Sequence, residues 1–301
     1  QLLIEKLVGI LSKGDYDYEI IFVNDCSPDN TLELLKSICS TNLHIKVISF
    51  SRNFGQQIAT TAGLMYAKGE AVIIMDDDLQ DPPELIPTFI GKWEEGYDVV
   101  YAVRKTRQEI FIKKLGYKLF YKILSYLSHI SIPQDSGDFG LLDSKVVKII
   151  NSMPERDRFL RGLRAWVGFK QTNIDYDRAP RNMGRPSYSI LKIFKLSLDG
   201  IIAFSNVPLQ ISSMIGFVVA SFAFIGMFLT ILQRILTLFY PNYPLAVWPG
   251  FSTIVLSILF LGGIQLIGLG IIGEYIARIY NEVKQRPLYL IEEVIGFEEV
   301  E

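Results

Sequence analysis

Cysteine is scarce in this chain. Cys26 and Cys39 are the two among 301 residues, which excludes a disulfide-stapled scaffold, and neither has zinc-ligand spacing. A reduced, cytosol-facing soluble part is the inference. Net charge is small as well, −2 at pH 7, which argues against nucleic acid as a partner of the whole chain. No signal peptide is visible. Charge is missing altogether from residues 200–233 and again from 235–273, stretches longer than the roughly 20 residues needed to cross a bilayer. Helices buried in a soluble core rarely run so far without a charge. Two transmembrane helices are expected, at 211–232 and 251–273.

The cations that do occur set an orientation. Arg178, Arg181, Arg185, Lys192 and Lys195 precede the first span, and Arg278, Lys284 and Arg286 follow the second, whereas residues 240–247 between them carry no charge. Both flanks are therefore expected on the cytoplasmic side, with Arg234 the one charge against the trend. Tyr240, Tyr243 and Trp248 suit an aromatic belt on the far side. Residues 189–208 read as an amphipathic helix on the membrane surface. At the other end the chain begins at Gln1, inside what looks like an amphipathic helix with Leu3, Leu7, Ile10 and Leu11. Upstream residues are expected in the full protein.

What is present is concentrated in one stretch, Ala71-Val72-Ile73-Ile74-Met75-Asp76-Asp77-Asp78-Leu79-Gln80-Asp81-Pro82-Pro83. An apolar run without alternation reads as a strand buried on both faces, the kind found inside a parallel sheet. The acids then sit at its carboxyl end, where ligands bind in open α/β sheets. A strand period of two sends Asp76 and Asp78 to one side and Asp77 to the other. Two carboxylates on one side suit Mg²⁺ or Mn²⁺, with a diphosphate and water supplying the remaining ligands. Asp81-Pro82 with Glu84 has the form of a helix cap, so Asp81 is read as structural. Capping does not account for three acids upstream of it, whose mutual repulsion needs compensation.

The pattern repeats along the chain. Residues 19–23 form an apolar strand ending in Asn24 and Asp25, and Ser27 or Asp29 caps a helix over 32–39. Asp25 is placed either to hydrogen-bond a ribose or base, or simply to make a turn. A strand at 44–50 leads through Ser51-Arg52-Asn53-Phe54-Gly55-Gln56-Gln57 into a helix at 58–67. Arg52 shares the carboxyl edge with Asp25 and Asp78, which suits an anionic ligand or a surface ion pair. With a further strand at 97–103, the sum is an α/β domain with a mostly parallel, Rossmann-like sheet.

These residues carry a resemblance. Val23-Asn24-Asp25, Asn53-Phe54-Gly55, the aspartate block with its Asp-x-Asp motif and Gly137-Asp138-Phe139 resemble family 2 glycosyltransferases of GT-A fold. The two spans narrow the likeness to the polyisoprenyl-phosphate glycosyltransferases, such as bactoprenol glucosyltransferases and dolichol-phosphate mannose synthases. The resemblance implies residues 1–188 as the GT-A domain, 189–208 as the interface helix, 209–280 as the two spans and 281–301 as a cytoplasmic tail. It implies Asp76 and Asp78 as metal ligands, and a donor set of Asp25, Arg52, Asp76, Asp77, Gln80, Arg181 and Arg185. Asp138 matches the acid taken in that family as catalytic base or as organiser of acceptor and metal.

The expected reaction is inverting transfer of a hexose, glucose from UDP-glucose, to a polyprenyl phosphate at the cytoplasmic face of a bacterial inner membrane. GDP-mannose, UDP-GlcNAc or a modified sugar are the alternative donors. A phosphate monoester with a second pKa of about 6 is largely ionised already, so no strong base is required. Arg158, Arg161 and Arg164 recur every three residues beside Phe159, Leu163 and Trp166, a shared helix face suited to a lipid phosphate or to pairing with Glu155 and Asp157. Arg181 and Arg185 lie in a basic loop at 176–188 that suits closure over the diphosphate. Ser187 replaces the family's usual lysine, and Gly140 stands where many relatives have arginine. A processive polysaccharide synthase would carry Gln-x-x-Arg-Trp and more spans. A transporter subunit would place polar residues within its spans, where Gln265 and a few Ser or Thr stand alone. Gly262, Gly263, Gly268 and Gly270 permit close helix packing and hence a homo-oligomer.

Overall fold

A computed structural model describes residues 1–104, 136–156, 158–177, 207–239 and 250–297. Arg181, Arg185, residues 189–206 of the expected interface helix and the aromatic residues Tyr240, Tyr243 and Trp248 lie outside the described residues, and residues 207 and 208 belong to a long helix that follows. The chain divides into two units, one of Gln1–Gly200 with Gln285–Glu301 and one of Ile201–Lys284.

In the first unit strands and helices alternate: α1 (Leu2–Leu11), β1 (Ile20–Asn24), α2 (Thr31–Cys39), β2 (Ile45–Phe50), α3 (Gln56–Tyr66) and β3 (Ala71–Ile74). A 3-10 turn at Pro83–Leu85 leads into α4 (Ile86–Glu94) and β4 (Val99–Arg104). Then come β5 (Ser136–Asp143), α5 (Ser144–Ser152), α6 (Leu160–Trp166), β6 (Gln171–Tyr176) and, beyond the second unit, β7 (Ile291–Ile295). Amphipathic spacing explains α1, which buries Ile4 and Leu7 against β1, β2 and α2 residues. At the start of α2, Asp29 Oδ1 accepts the Thr31 N–H at 3.1 Å, satisfying one of the helix's orphan donors.

The α/β class holds, but the described pairings are mixed. The sheets run β1-β2-β7 and β3-β5-β4-β6. β1 with β2 and β4 with β6 are parallel, whereas β3 with β5, β4 with β5 and β2 with β7 are antiparallel. The expectation that β3 lies within a parallel sheet is thus corrected. Its apolar run reflects helices covering both faces, not the direction of its neighbours. Ile73 and Met75 pack with Phe89 and Ile90 of α4 on one side, while Ile74 lines a small cavity with Leu64 of α3 and Ile150 of α5 on the other.

Direction decides the site. Ile74, the last residue of β3, pairs with Gly140, so the loop that carries Asp76 leaves the sheet at the end where Asp138, two residues before Gly140 on antiparallel β5, also lies. A parallel β5 would have sent Asp138 to the opposite end. Gly140 makes this approach possible: a Cβ there would stand 2.5 Å from the Val100 carbonyl oxygen and 2.9 Å from Tyr101 Cα. An arginine at this position does not fit this packing.

The stretch expected as a tail folds into the first unit. β7 covers the edge of β2, Tyr289 stacks on Phe50 at 5.0 Å, and Phe297 meets Tyr66 edge-on at 5.3 Å. Lys36 pairs with Glu293 at 2.7 Å.

The second unit consists, among the described residues, of α7 (Val207–Phe239) and α8 (Gly250–Val283), 33 and 34 residues long. At 1.5 Å per residue each reaches about 50 Å, more than the ~30 Å hydrocarbon core of a bilayer. Both are long and apolar enough to cross a membrane, and Phe217, Phe222, Phe228, Leu266 and Ile267 are exposed along them. A Cβ on Gly268 would lie 3.1 Å from Ser212 Oγ, so this glycine lets the helices approach, while Gly262, Gly263 and Gly270 face open space.

Candidate active site

The first turn of α3 is the hub of the site. It follows Gly55, whose φ of +96° and ψ of 154° are open essentially to glycine alone. Asp25, at the end of β1, holds the turn: its Oδ1 accepts the Phe54 N–H at 2.6 Å and its Oδ2 the Gly55 N–H at 2.8 Å. The Asn53 side chain donates back to the Asp25 carbonyl at 3.1 Å. In this structure Asp25 therefore organises the Asn53-Phe54-Gly55 segment. Arg52 is exposed, with its guanidinium 4.7 Å over the Phe54 ring.

The aspartate block lies beyond the end of β3, in a loop and turn and not in the strand from which a period of two was expected; Asp76 and Asp78 are half-buried there and Asp77 is exposed. Gln56 Nε2 donates to Asp76 Oδ1 at 2.6 Å. Asp78 Oδ1 accepts the Gln80 N–H at 3.1 Å across Leu79, which takes the left-handed φ of 58° that a branched side chain adopts only at a cost. Gln80 is buried. Asp81 is buried too, but as the acceptor of the Tyr176 hydroxyl at 2.6 Å instead of as a helix cap. Arg104 Nε donates to the same hydroxyl at 3.3 Å, and burial followed by the bond to Asp81 pushes the Tyr176 phenol up. Glu84, expected to complete the cap, pairs with Lys6 at 3.1 Å.

Asp138 lies inside a charged cluster, its side chain 7% exposed. Arg161 donates from Nε to Oδ1 at 2.8 Å and from Nη2 to Oδ2 at 3.1 Å. Gln57 Nε2 adds a third donor to Oδ2 at 3.1 Å. Burial pushes the Asp138 carboxyl up, but the Arg161 bonds and charge, the Arg164 charge and the Gln57 bond together hold it below the usual carboxylate range. Arg164 is buried, 4.9 Å over the Tyr101 ring, and donates to Gly137 O and Ser136 Oγ, each at 3.3 Å. Burial lowers its pKa to about 10, against the opposing pull of Asp138.

The three arginines do not share a helix face. α6 begins at Leu160, after Arg158, because Arg158 turns back to cap α5, donating to the Met153 and Ile150 carbonyls at 2.8 and 3.0 Å. Leu163 is buried in the core and Trp166 is exposed. Sequence reasoning missed Gln56 and Gln57, the residues that link α3 to both acidic groups. Their one signal was position, directly after a glycine turn at a strand's carboxyl edge.

For a divalent cation the candidate donors are the half-buried carboxylates of Asp76 and Asp78 in the loop after β3. Among the described residues no group of three or more His, Cys, Asp or Glu is arranged around a metal position. Two carboxylates fit a cation that takes its other ligands from a diphosphate and water, and do not suit an all-protein cage.

Residues 1–150 match the family described as Glycosyl transferase family 2. The chain is 45% identical over 298 residues to an uncharacterized glycosyltransferase of Synechocystis, spanning 98% of this chain and 91% of that protein. It is 43% identical over 280 residues to the prophage bactoprenol glucosyl transferase homolog of Escherichia coli, covering 93% of this chain and 89% of the relative. It is 42% identical over 277 residues to the bactoprenol glucosyl transferase of Shigella phage SfII, covering 92% and 87% respectively. On these matches the chain belongs to glycosyl transferase family 2.

Proposed function

We propose that the protein transfers glucose from UDP-glucose to a polyprenyl phosphate, with inversion, at the cytoplasmic face of a bacterial inner membrane that α7 and α8 span. The observation that carries this is the identity of 42–43% to bactoprenol glucosyl transferases and their homolog over more than nine-tenths of the chain. Asp76 and Asp78 would hold Mg²⁺ or Mn²⁺, which when bound neutralises the departing diphosphate. Gln56 orients Asp76 for that task, and the Asp78–Gln80 turn shapes the donor pocket.

The acceptor phosphate, already ionised near neutral pH, needs alignment more than deprotonation. Asp138 suits this. A carboxylate held anionic by Arg161, Arg164 and Gln57 is a poor proton acceptor but a firm anchor for Arg161. Arg161 is accordingly assigned to the acceptor phosphate, and Arg158 and Arg164 to the frame around it. Arg181 and Arg185 complete the proposed donor set.

The test is transfer of labelled sugar into organic-extractable lipid by the purified chain with undecaprenyl phosphate, Mg²⁺ and a panel of nucleotide sugars. Label moving from UDP-glucose supports the reading. Transfer from GDP-mannose or UDP-GlcNAc alone would replace the donor, and growth of a polymer would replace the reaction.

A further inference from the structure

The side chain of Gln57 ties together three segments that are far apart in sequence. Its Nε2 donates to Asp138 Oδ2 on β5 at 3.1 Å, and its Oε1 accepts the Leu160 N–H at the start of α6 at 3.0 Å. The amide has one working orientation. Reversed, it would set NH₂ against an N–H donor and oxygen against a carboxylate. The Leu160 N–H is one of the orphan donors of a helix start, and Arg161 is the next residue. One neutral side chain therefore fixes both members of the Asp138–Arg161 pair, the carboxylate directly and the arginine through the backbone beside it.

We propose that Gln57 is a positioning residue for the acceptor side of the site, setting the register of α6 on β5 so that Arg161 meets a lipid phosphate. The proposal rests on the glucosyl transfer reading. Its neighbour Gln56 serves Asp76 instead, so adjacent residues on one helical turn address the two substrates separately. Among the described residues, the charged groups bonded to or facing Asp138 are Arg161 and Arg164, beside the neutral Gln57 amide.

The experiment compares wild type with Gln57→Met, which keeps the length and removes both bonds. A second variant, Gln57→Glu, keeps an oxygen for the Leu160 N–H and sets a carboxylate against Asp138. Purified full-length proteins are assayed for kcat and for KM toward each substrate over a range of pH, and thermal unfolding is followed in parallel. The expected result is a fall of tenfold or more in kcat/KM for undecaprenyl phosphate, with KM for UDP-glucose within twofold of wild type. The acid limb of the profile moves upward in Gln57→Glu, because Asp138 gains a like-charged neighbour.

A short-chain prenyl phosphate titrated calorimetrically supplies a readout that needs no turnover, and it is expected to bind the Glu variant at least tenfold more weakly. Equal losses toward both substrates that track a lower melting temperature would reduce Gln57 to scaffold and overturn the proposal. Unchanged acceptor binding would do the same. Inactive wild type with every donor would defeat the transfer reading instead, and the calorimetry would still decide the role of Gln57.

Discussion

Asp138→Asn separates an anchor from a base. Both Asp138 oxygens accept from donors only, Arg161 at two positions and Gln57 at a third. An asparagine NH₂ on either side therefore meets another donor, and the arginines lose their counter-charge. Removing one member of a buried pair typically costs about 3–5 kcal/mol. Arg161 is 32% exposed and regains some hydration, so about 3 kcal/mol is expected. For a unit of this size that is a fall in melting temperature of about 6–12 °C. Trp93, whose indole bonds Asp143 at the end of β5, gives a fluorescence signal from this unit.

The pH dependence is the sharper test. Because the folded state holds the Asp138 carboxyl below its usual value of 3.8, its contribution is fully present above that value. It is lost as pH falls through the lower, folded value. The gap between wild type and Asp138→Asn should therefore be constant from pH 8 to pH 5 and close only in stronger acid. A gap that narrows between pH 7 and pH 5 would mean a raised carboxyl poised to take a proton, and would refute the anchor reasoning.

Gly140→Ala drives a Cβ toward the Val100 carbonyl and is expected to cost about 1–3 kcal/mol, seen as earlier unfolding in denaturant; full stability would contradict the packing of β5 on β4. Truncation after Lys284 removes β7 and uncovers the β2 edge with Phe50 and Tyr66. The purified product should aggregate on size exclusion, and a monodisperse, active one would count against β7 as part of the domain. Asp78→Asn, or chelation of divalent ions from wild type, should abolish sugar transfer while the circular dichroism stays unchanged. Wild-type turnover in either case would sink the metal assignment.

Much of this protein is legible along the chain because it depends on local periodicity. The apolar run before Asp76, the three adjacent acids that follow it and the two long charge-free stretches at 200–233 and 235–273 are properties of neighbouring residues, and their chemistry follows from side-chain type. The family resemblance rests on the same short motifs.

Partners distant in sequence were not legible. No pattern in residues 71–83 states that β3 pairs antiparallel with β5, since an apolar strand covered by helices reads alike whichever way its neighbours run. That Arg158 caps α5 while Arg161 meets Asp138 contradicts a three-residue spacing, because capping a buried helix end outweighed the pattern. Residues 281–301 read as a tail because a strand of five residues beyond a long apolar helix shows its purpose only beside the open edge of β2. Gln57, a neutral residue of no evident chemistry, became visible only when tertiary packing brought residues 57, 138 and 160 within hydrogen-bonding distance. Hydrogen bonds depend on proximity in space, which the linear order of residues does not encode.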